Sequence, residues 1–187
     1  MQRRKPFSSR IRFAVMLFCG LCVVAAAARS AGLVGGVRLA VLPQSWRDDS
    51  GKPISLTALA GQRVVLTMAY ANCHRICPMT IAALKRLQEA LDAKGERAEF
   101  VVVGYDPEND DPAAWRHYRL SHQLDRPSWH FLTGSVADTA QLARQLHFER
   151  WKYDEHVMHD SRVLVFDSHG LLARELGPDI GDWSDAL

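Results

Sequence analysis

Two thiols four residues apart, Cys73 and Cys77 in the stretch ANCHRICPMT, are the part of this chain best equipped for chemistry. Set at the mouth of a helix they share one face, with β-carbons about 6 Å apart. That spacing allows them to grip one soft metal ion or to close a disulfide. Two thiolates suit linear or trigonal Cu(I), and cysteine and histidine are its natural ligands. A third ligand would have to come from elsewhere in the chain.

The flanking elements say how the cysteines are presented. Val64 to Tyr70 (VVLTMAY) is apolar and rich in β-branched residues, which predicts a buried strand. Pro78 suits the first turn of a helix. Ile81, Leu84, Leu87 and Leu91 then recur at spacings of three and four, so an amphipathic helix is expected as far as Gly95. The strand delivers the thiols to a helix N-terminus, where unpaired N–H groups and the macrodipole favour the thiolate.

Eight histidines are available as a third ligand. His117, His122, His130, His147 and His169 have no partner in the sequence and read as solvated or structural. His74 lies between the cysteines but points to a different helix face. His156 and His159, in DEHVMHDS, precede an expected strand at Arg162 to Phe166. A loop entering that strand would carry one imidazole over the cysteines, and periodicity alone does not choose between the two.

Elsewhere the chain alternates strand and helix. A strand is expected at Phe100 to Tyr105, an acid-rich turn at Asp106 to Pro112, and a helix from Ala113 to Leu124. A third strand is expected at Trp129 to Thr133, and Ser135 caps a further helix. Asp48 to Gly51 reads as a turn, and Ser55 to Gly61 as a short helical turn with a glycine stop. Arg162 to Phe166 and Leu171 to Leu176, joined by a turn at Asp167 to Gly170, read as a hairpin. The fold class is therefore α/β: a thioredoxin-like sandwich with a central mixed sheet flanked by helices.

At 187 residues, 48% hydrophobic, the chain has material for one ordinary core. Its net charge of +2 includes Arg3, Arg4, Lys5, Arg10 and Arg12. Without those the rest is slightly acidic, which gives no support to nucleic-acid binding. Phe13 to Ala28 then runs without a charge and, as a helix, would reach about 24 Å against a bilayer core of about 30 Å. Residues 1–31 are read as a signal or membrane anchor, an anchor being favoured, 32–41 as linker, and 42–187 as the domain. Basic residues ahead of the apolar run would stay in the cytoplasm. The domain is thus expected in a periplasm, either tethered to the inner membrane or released if the signal is cleaved. Cys19 and Cys22 lie inside the apolar run and read as small hydrophobes.

Leu42 to Gly177 resembles the SCO/SenC family, the thioredoxin-like copper chaperones for cytochrome c oxidase. The resemblance is carried in order by Asp49 to Leu59 (DSGKPISLTAL), the CxxxCP of Cys73 to Pro78, the acidic loop Asp106 to Pro112 (DPENDDP), and a histidine, strand, Asp-x-x-Gly arrangement that begins at His159. It implies that Cys73, Cys77 and His159 hold copper, with His156 relegated to the surroundings. The implied function is metallochaperone rather than enzyme. The implied recipient is the copper-bearing subunit of cytochrome c oxidase or another cuproenzyme, with other copper chaperones as further partners. Asp106 and Asp110 match acidic family positions and are equally readable as turn formers. This chain departs from the pattern at His74 and Arg75, at Met158, and in stopping at Leu187.

Two other readings of the cysteines stay open. One is a thiol-disulfide oxidoreductase in which Cys73 attacks and Cys77 resolves, reducing the cysteines of a recipient copper site. The other is a structural zinc site completed by His156 and His159. A peroxidase of the peroxiredoxin type is disfavoured, because the residues before Cys73 lack the PxxxTxxC register.

Overall fold

The computed structural model describes residues 36–72, 77–153 and 156–177, and of residues 77, 78, 152, 153, 156 and 157 the backbone alone. The segment read as signal or anchor, and Cys73, His74 and Arg75, lie outside these. Among the described residues no helix is long and apolar enough to cross a membrane.

The chain enters through a 3-10 turn at Leu39–Val41 and a small hairpin, β1 (Trp46–Arg47) with β2 (Pro53–Ile54). Leu39, in the stretch read as linker, is already buried. The helical turn expected at Ser55 to Gly61 is a 3-10 turn at Leu56–Leu59, capped by the Ser55 hydroxyl. Then come β3 (Arg63–Ala69), α1 (Cys77–Lys94), β4 (Ala98–Gly104), α2 (Pro112–Ser121), β5 (Trp129–Leu132) and α3 (Val136–Gln145). A hairpin of β6 (Arg150–Tyr153) and β7 (His156–His159) follows, and then β8 (Val163–Phe166) and β9 (Leu172–Leu176).

Five strands form one mixed sheet in the order β5-β4-β3-β8-β9. β3, β4 and β5 are parallel, whereas β8 is antiparallel to both β3 and β9. β3 is central, and its side chains are buried from Val64 onward on both faces, as expected of a strand covered on two sides. Val65 and Ala69 point with Phe100, Val102 and Phe131 into a core closed by Ile81, Leu84, Leu87 and Leu91 of α1 and Trp115 and Tyr118 of α2. The alternate residues Val64, Leu66 and Met68 share a second core with Leu142 of α3, Leu146 just after it, and Leu39, Trp46 and Leu56 from the N-terminal elements. This is the expected thioredoxin-like sandwich.

Helix ends follow local chemistry. α1 stops at Gly95, whose φ of 71° takes the left-handed conformation while Glu96 N–H closes back to the Leu91 carbonyl. α2 starts with Asp111 accepting from Ala114 N–H and with Pro112 in the first turn. It ends at Ser121, short of the expected Leu124. The His122 ring engages the Tyr118 carbonyl, and Gln123 turns left-handed at φ 55°, which lets Leu124 fold back into the core.

One expectation needs correction. Where the sequence leads one to expect a loop at DEHVMHDS, His156–His159 is a strand paired with Arg150–Tyr153, in the register Arg150 with His159 and Trp151 with Met158. Alternating polar and apolar residues over so short a run carry little signal, and the pairing partner was not apparent.

The acidic turn after β4 is a brace. Asp110 is 1% exposed and accepts from Ala71 N–H at 2.7 Å and Asp106 N–H at 2.9 Å. Its own carbonyl receives the Thr133 hydroxyl. It therefore ties the end of β3, just before the cysteines, to the ends of β4 and β5. Burial pushes its carboxyl up to about 6, although the two N–H donors oppose the rise. Asp106 stays at the turn, accepting from Glu108 N–H and from the Asn109 side chain. Gly104 is required beside this brace, since a β-carbon there would come within 2.7 Å of the Asp110 β-carbon.

Gly104→Ala should therefore destabilise the fold by about 1–3 kcal/mol through overpacking, read as a lower urea midpoint at unchanged slope. For Asp110, the folded chain binds the proton more tightly than the unfolded chain, for which 3.8 applies. Between those values the folded state carries more protons, so this contribution to stability is lost as pH rises from about 4 to about 6. Asp110→Asn cannot titrate. The variant should gain about 3 kcal/mol relative to wild type between pH 4 and pH 7 in urea unfolding.

Candidate metal centre

Parallel strands β3 and β4 end side by side, Ala69 opposite Gly104. The crossover from β3 leads one way to β4, while β8 flanks β3 on the other side, so the order reverses at β3. Crevices for ligands form at such switch points, beyond the carboxyl ends of the strands. Because β8 runs antiparallel, with Thr67 opposite Val163, its entry lies at the same end. The topology thus brings the residues before β8, His159 to Arg162, to the end of the strand that leads to Cys73.

That entry is firmly held. Thr67 donates its hydroxyl to the Arg162 carbonyl at 2.8 Å. The Arg162 guanidinium binds Glu175 through two nitrogens at 2.7 and 2.8 Å and reaches the carbonyls of Leu146 and His147. This pairing with Glu175 raises the guanidinium pKa and lowers that of the carboxylate. Asp160 accepts from Glu149 N–H at 2.9 Å and from the Tyr105 hydroxyl at 3.2 Å.

His159 is 4% exposed. Its ring lies 5.5 Å from that of Tyr70 and 5.2 Å from that of Tyr105, and the two phenols stack on each other at 5.2 Å. Nδ1 is 2.5 Å from the Asp160 carbonyl. A carbonyl only accepts, so Nδ1 is the donor in this bond. A neutral imidazole oriented by a backbone oxygen behind it is the form that ligates metals. The ring of His159 is fixed in orientation by this bond and by the two phenols packed against it.

The cysteine side is seen in part. Cys77 is the first residue of α1, at the positive end of an 18-residue helix. Its side chain, and all of Cys73, His74 and Arg75, lie outside the described residues. Among the described residues no three His, Cys, Asp or Glu side chains cluster to hold an ion. Thr80, one turn into α1, is 5% exposed.

Other histidines are placed elsewhere. His130 pairs with Glu99 at 2.7 Å on the sheet, and His122 caps α2. His156 sits at the far end of β7 opposite Tyr153, three residues from the end that carries His159. The sequence reading missed Tyr70, Tyr105, Asp160 and Arg150. A signal for the first two was present, since VVLTMAY and FVVVGY each close on tyrosine, and the strand register sets the two rings together. Arg150 is the cross-strand partner of His159 and approaches the Tyr105 carbonyl at 3.4 Å. Burial raises the pKa of Tyr70, and a hydrogen bond from Arg150 together with its charge opposes that rise.

With this geometry in place, comparison with known proteins is informative. Residues 43–181 match the family model described as SCO1/SenC. The SCO1 protein homolog of Bacillus subtilis (strain 168) is 25% identical over 139 residues, 72% of each chain. The crystal structure of Arabidopsis thaliana ScoI with copper bound superposes with a TM-score of 0.68 at 22% identity, covering 82% of this chain and 92% of that one. BsSco is described as a member of the Sco family of cytochrome c oxidase assembly proteins in which a disulfide switch was identified. It gives a TM-score of 0.68 at 25% identity, covering 78% of this chain and 87% of its own. The chain belongs to the SCO1/SenC family.

Proposed function

We propose that the protein is a copper carrier: it holds copper through Cys73, Cys77 and His159 and passes it to a cuproenzyme, foremost the dinuclear copper centre of cytochrome c oxidase. The observation that carries this reading is His159, whose Nδ1 is held by the Asp160 carbonyl at the strand end that leads to Cys73. A relative with copper bound and another described as an assembly protein for cytochrome c oxidase support it. Two thiolates and one imidazole make a trigonal site for Cu(I). Three-coordination leaves room for an incoming sulfur or nitrogen to displace one protein ligand at a time, so transfer needs no bond-breaking chemistry on a substrate. The basic N-terminus followed by an apolar run supports a domain held outside the inner membrane, in the periplasm, where an oxidase's copper subunit would be met.

A second reading is favoured by a specific observation. Cys77 opens α1, where the helix N-terminus stabilises a thiolate, and a disulfide switch is described for BsSco. A thiol-disulfide oxidoreductase that prepares a recipient's cysteines would use the same two residues without needing the histidine.

Anaerobic Cu(I) titration of the reduced protein against a competing chelator separates the two. A carrier should bind one equivalent, lose binding in Cys73→Ser and Cys77→Ser, and weaken about tenfold or more in His159→Ala. Unchanged copper affinity in His159→Ala, with disulfide-reducing activity retained, would instead establish the reductase.

A further inference from the structure

Beside His159 the surface opens into a groove of about 710 Å3 between the acidic turn after β4, helix α3 and the chain from Phe148 to Trp151. Its floor is continuous with the rings around the histidine. Phe148 stands edge-on to Tyr105 with ring centroids 6.4 Å apart, and Tyr105 in turn lies 5.2 Å from the His159 ring. Arg150, the cross-strand partner of His159, lines the groove as well.

Single exposed hydrophobic side chains are ordinary on a protein surface. Here two share one groove: Val136 at the start of α3 is 62% exposed, and Trp151 on β6 is 49% exposed. Tryptophan is a preferred interface anchor, because it buries a large area at little cost in rotamer freedom. The wall also carries Thr139, only 4% exposed, whose hydroxyl has no hydrogen-bond partner among the described residues. Around the rim, Asp106 is occupied with its own turn, and Arg150 with Tyr70 and Tyr105. Glu108, Glu149 and Arg144 make no side-chain hydrogen bond or ion pair among the described residues. The rim thus offers two unpaired carboxylates against one guanidinium, a balance that suits an apolar side chain with a cation beside it.

Transfer by ligand exchange requires the acceptor's own ligand to reach the ion before a protein ligand leaves. The acceptor therefore has to seat against the corner that holds His159, and this groove adjoins that corner. We propose that the groove docks the copper acceptor: the copper-bearing subunit of the oxidase places against Val136 and Trp151 an apolar side chain flanked by a lysine or arginine that meets Glu108 or Glu149. The inference rests on the carrier reading above and adds where the recipient binds.

The experiment follows Cu(I) transfer from the full-length, copper-loaded protein to the isolated copper-bearing domain of cytochrome c oxidase, reduced and free of metal, over a range of domain concentrations. Trp151→Ser should raise the domain concentration at half-maximal rate about tenfold or more, the loss expected of an interface anchor, while the protein's own Cu(I) affinity stays as in wild type. Glu108→Lys should slow transfer severalfold at low salt, and the difference should fade at high salt, where rim charges are screened. Leu120→Ser, at an exposed position of α2 outside the groove, should change neither. Equal half-saturation in wild type and Trp151→Ser, or an equal loss in Leu120→Ser, overturns the docking site. So does self-association of the wild type that Trp151→Ser abolishes in sedimentation, which makes the groove a contact between copies of this chain. A loaded protein that passes no copper to the domain overturns the assigned partner, and a wild type that takes up no copper overturns the carrier reading itself.

Discussion

Antiparallel pairing of β8 against β3 is the constraint on which the site depends. Had β8 joined the sheet in the direction of β3, β4 and β5, its entry would lie at the opposite end, and His159 would sit a strand length away from the cysteines, roughly 20 Å. Instead the strand that leads to Cys73 and the strand that follows His159 meet at one end of the sheet. Tyr70 and His159, distant in the chain, are thereby brought to the same corner. The Thr67 to Arg162 bond and the Arg162 clamp on Glu175 fix that entry. The hydrophobic faces of β3 hold the whole arrangement in register, since a slip by one residue would exchange its two cores.

Around this corner the protein has placed stiffness rather than many charges. His159 sits within a box of two stacked phenols, its back held by a carbonyl, so little rotamer freedom remains to be lost when a ligand arrives. Asp110 contributes from a distance. By gripping Ala71 and Asp106 it holds the start of the cysteine segment to the neighbouring strands, and its raised pKa measures what burying that carboxyl costs. Arg150 reaches the Tyr105 carbonyl from the β6–β7 hairpin, an element whose pairing is not legible in the sequence.

Much of the fold was legible from local pattern. The two apolar strands, the α1 repeat at Ile81, Leu84, Leu87 and Leu91, the Ser135 cap and the final hairpin all fall close to their expected places, because each is set by neighbours within a few residues. What escaped depended on partners distant in sequence. β6 and β7 are short and only half apolar, and they are strands because they pair with each other. Asp110 reads as a turn former and proves to be a buried brace, since the residue it holds, Ala71, lies 39 positions away.

For the site the division is similar. The chain by itself determined the reactive residue types: a CxxxCP spacing at the mouth of a helix, and two histidines ahead of a late strand. Spacing left His156 and His159 equivalent, and the choice between them came from resemblance rather than from periodicity. Tertiary structure decided the surroundings. It set His159 at the end of β7 that adjoins β8, held its Nδ1 on the Asp160 carbonyl, and packed Tyr70 and Tyr105 against its ring. The reason is physical: composition and spacing report what a side chain can do, whereas direction, burial and hydrogen-bond partners are properties of the packed sheet and do not exist before it forms.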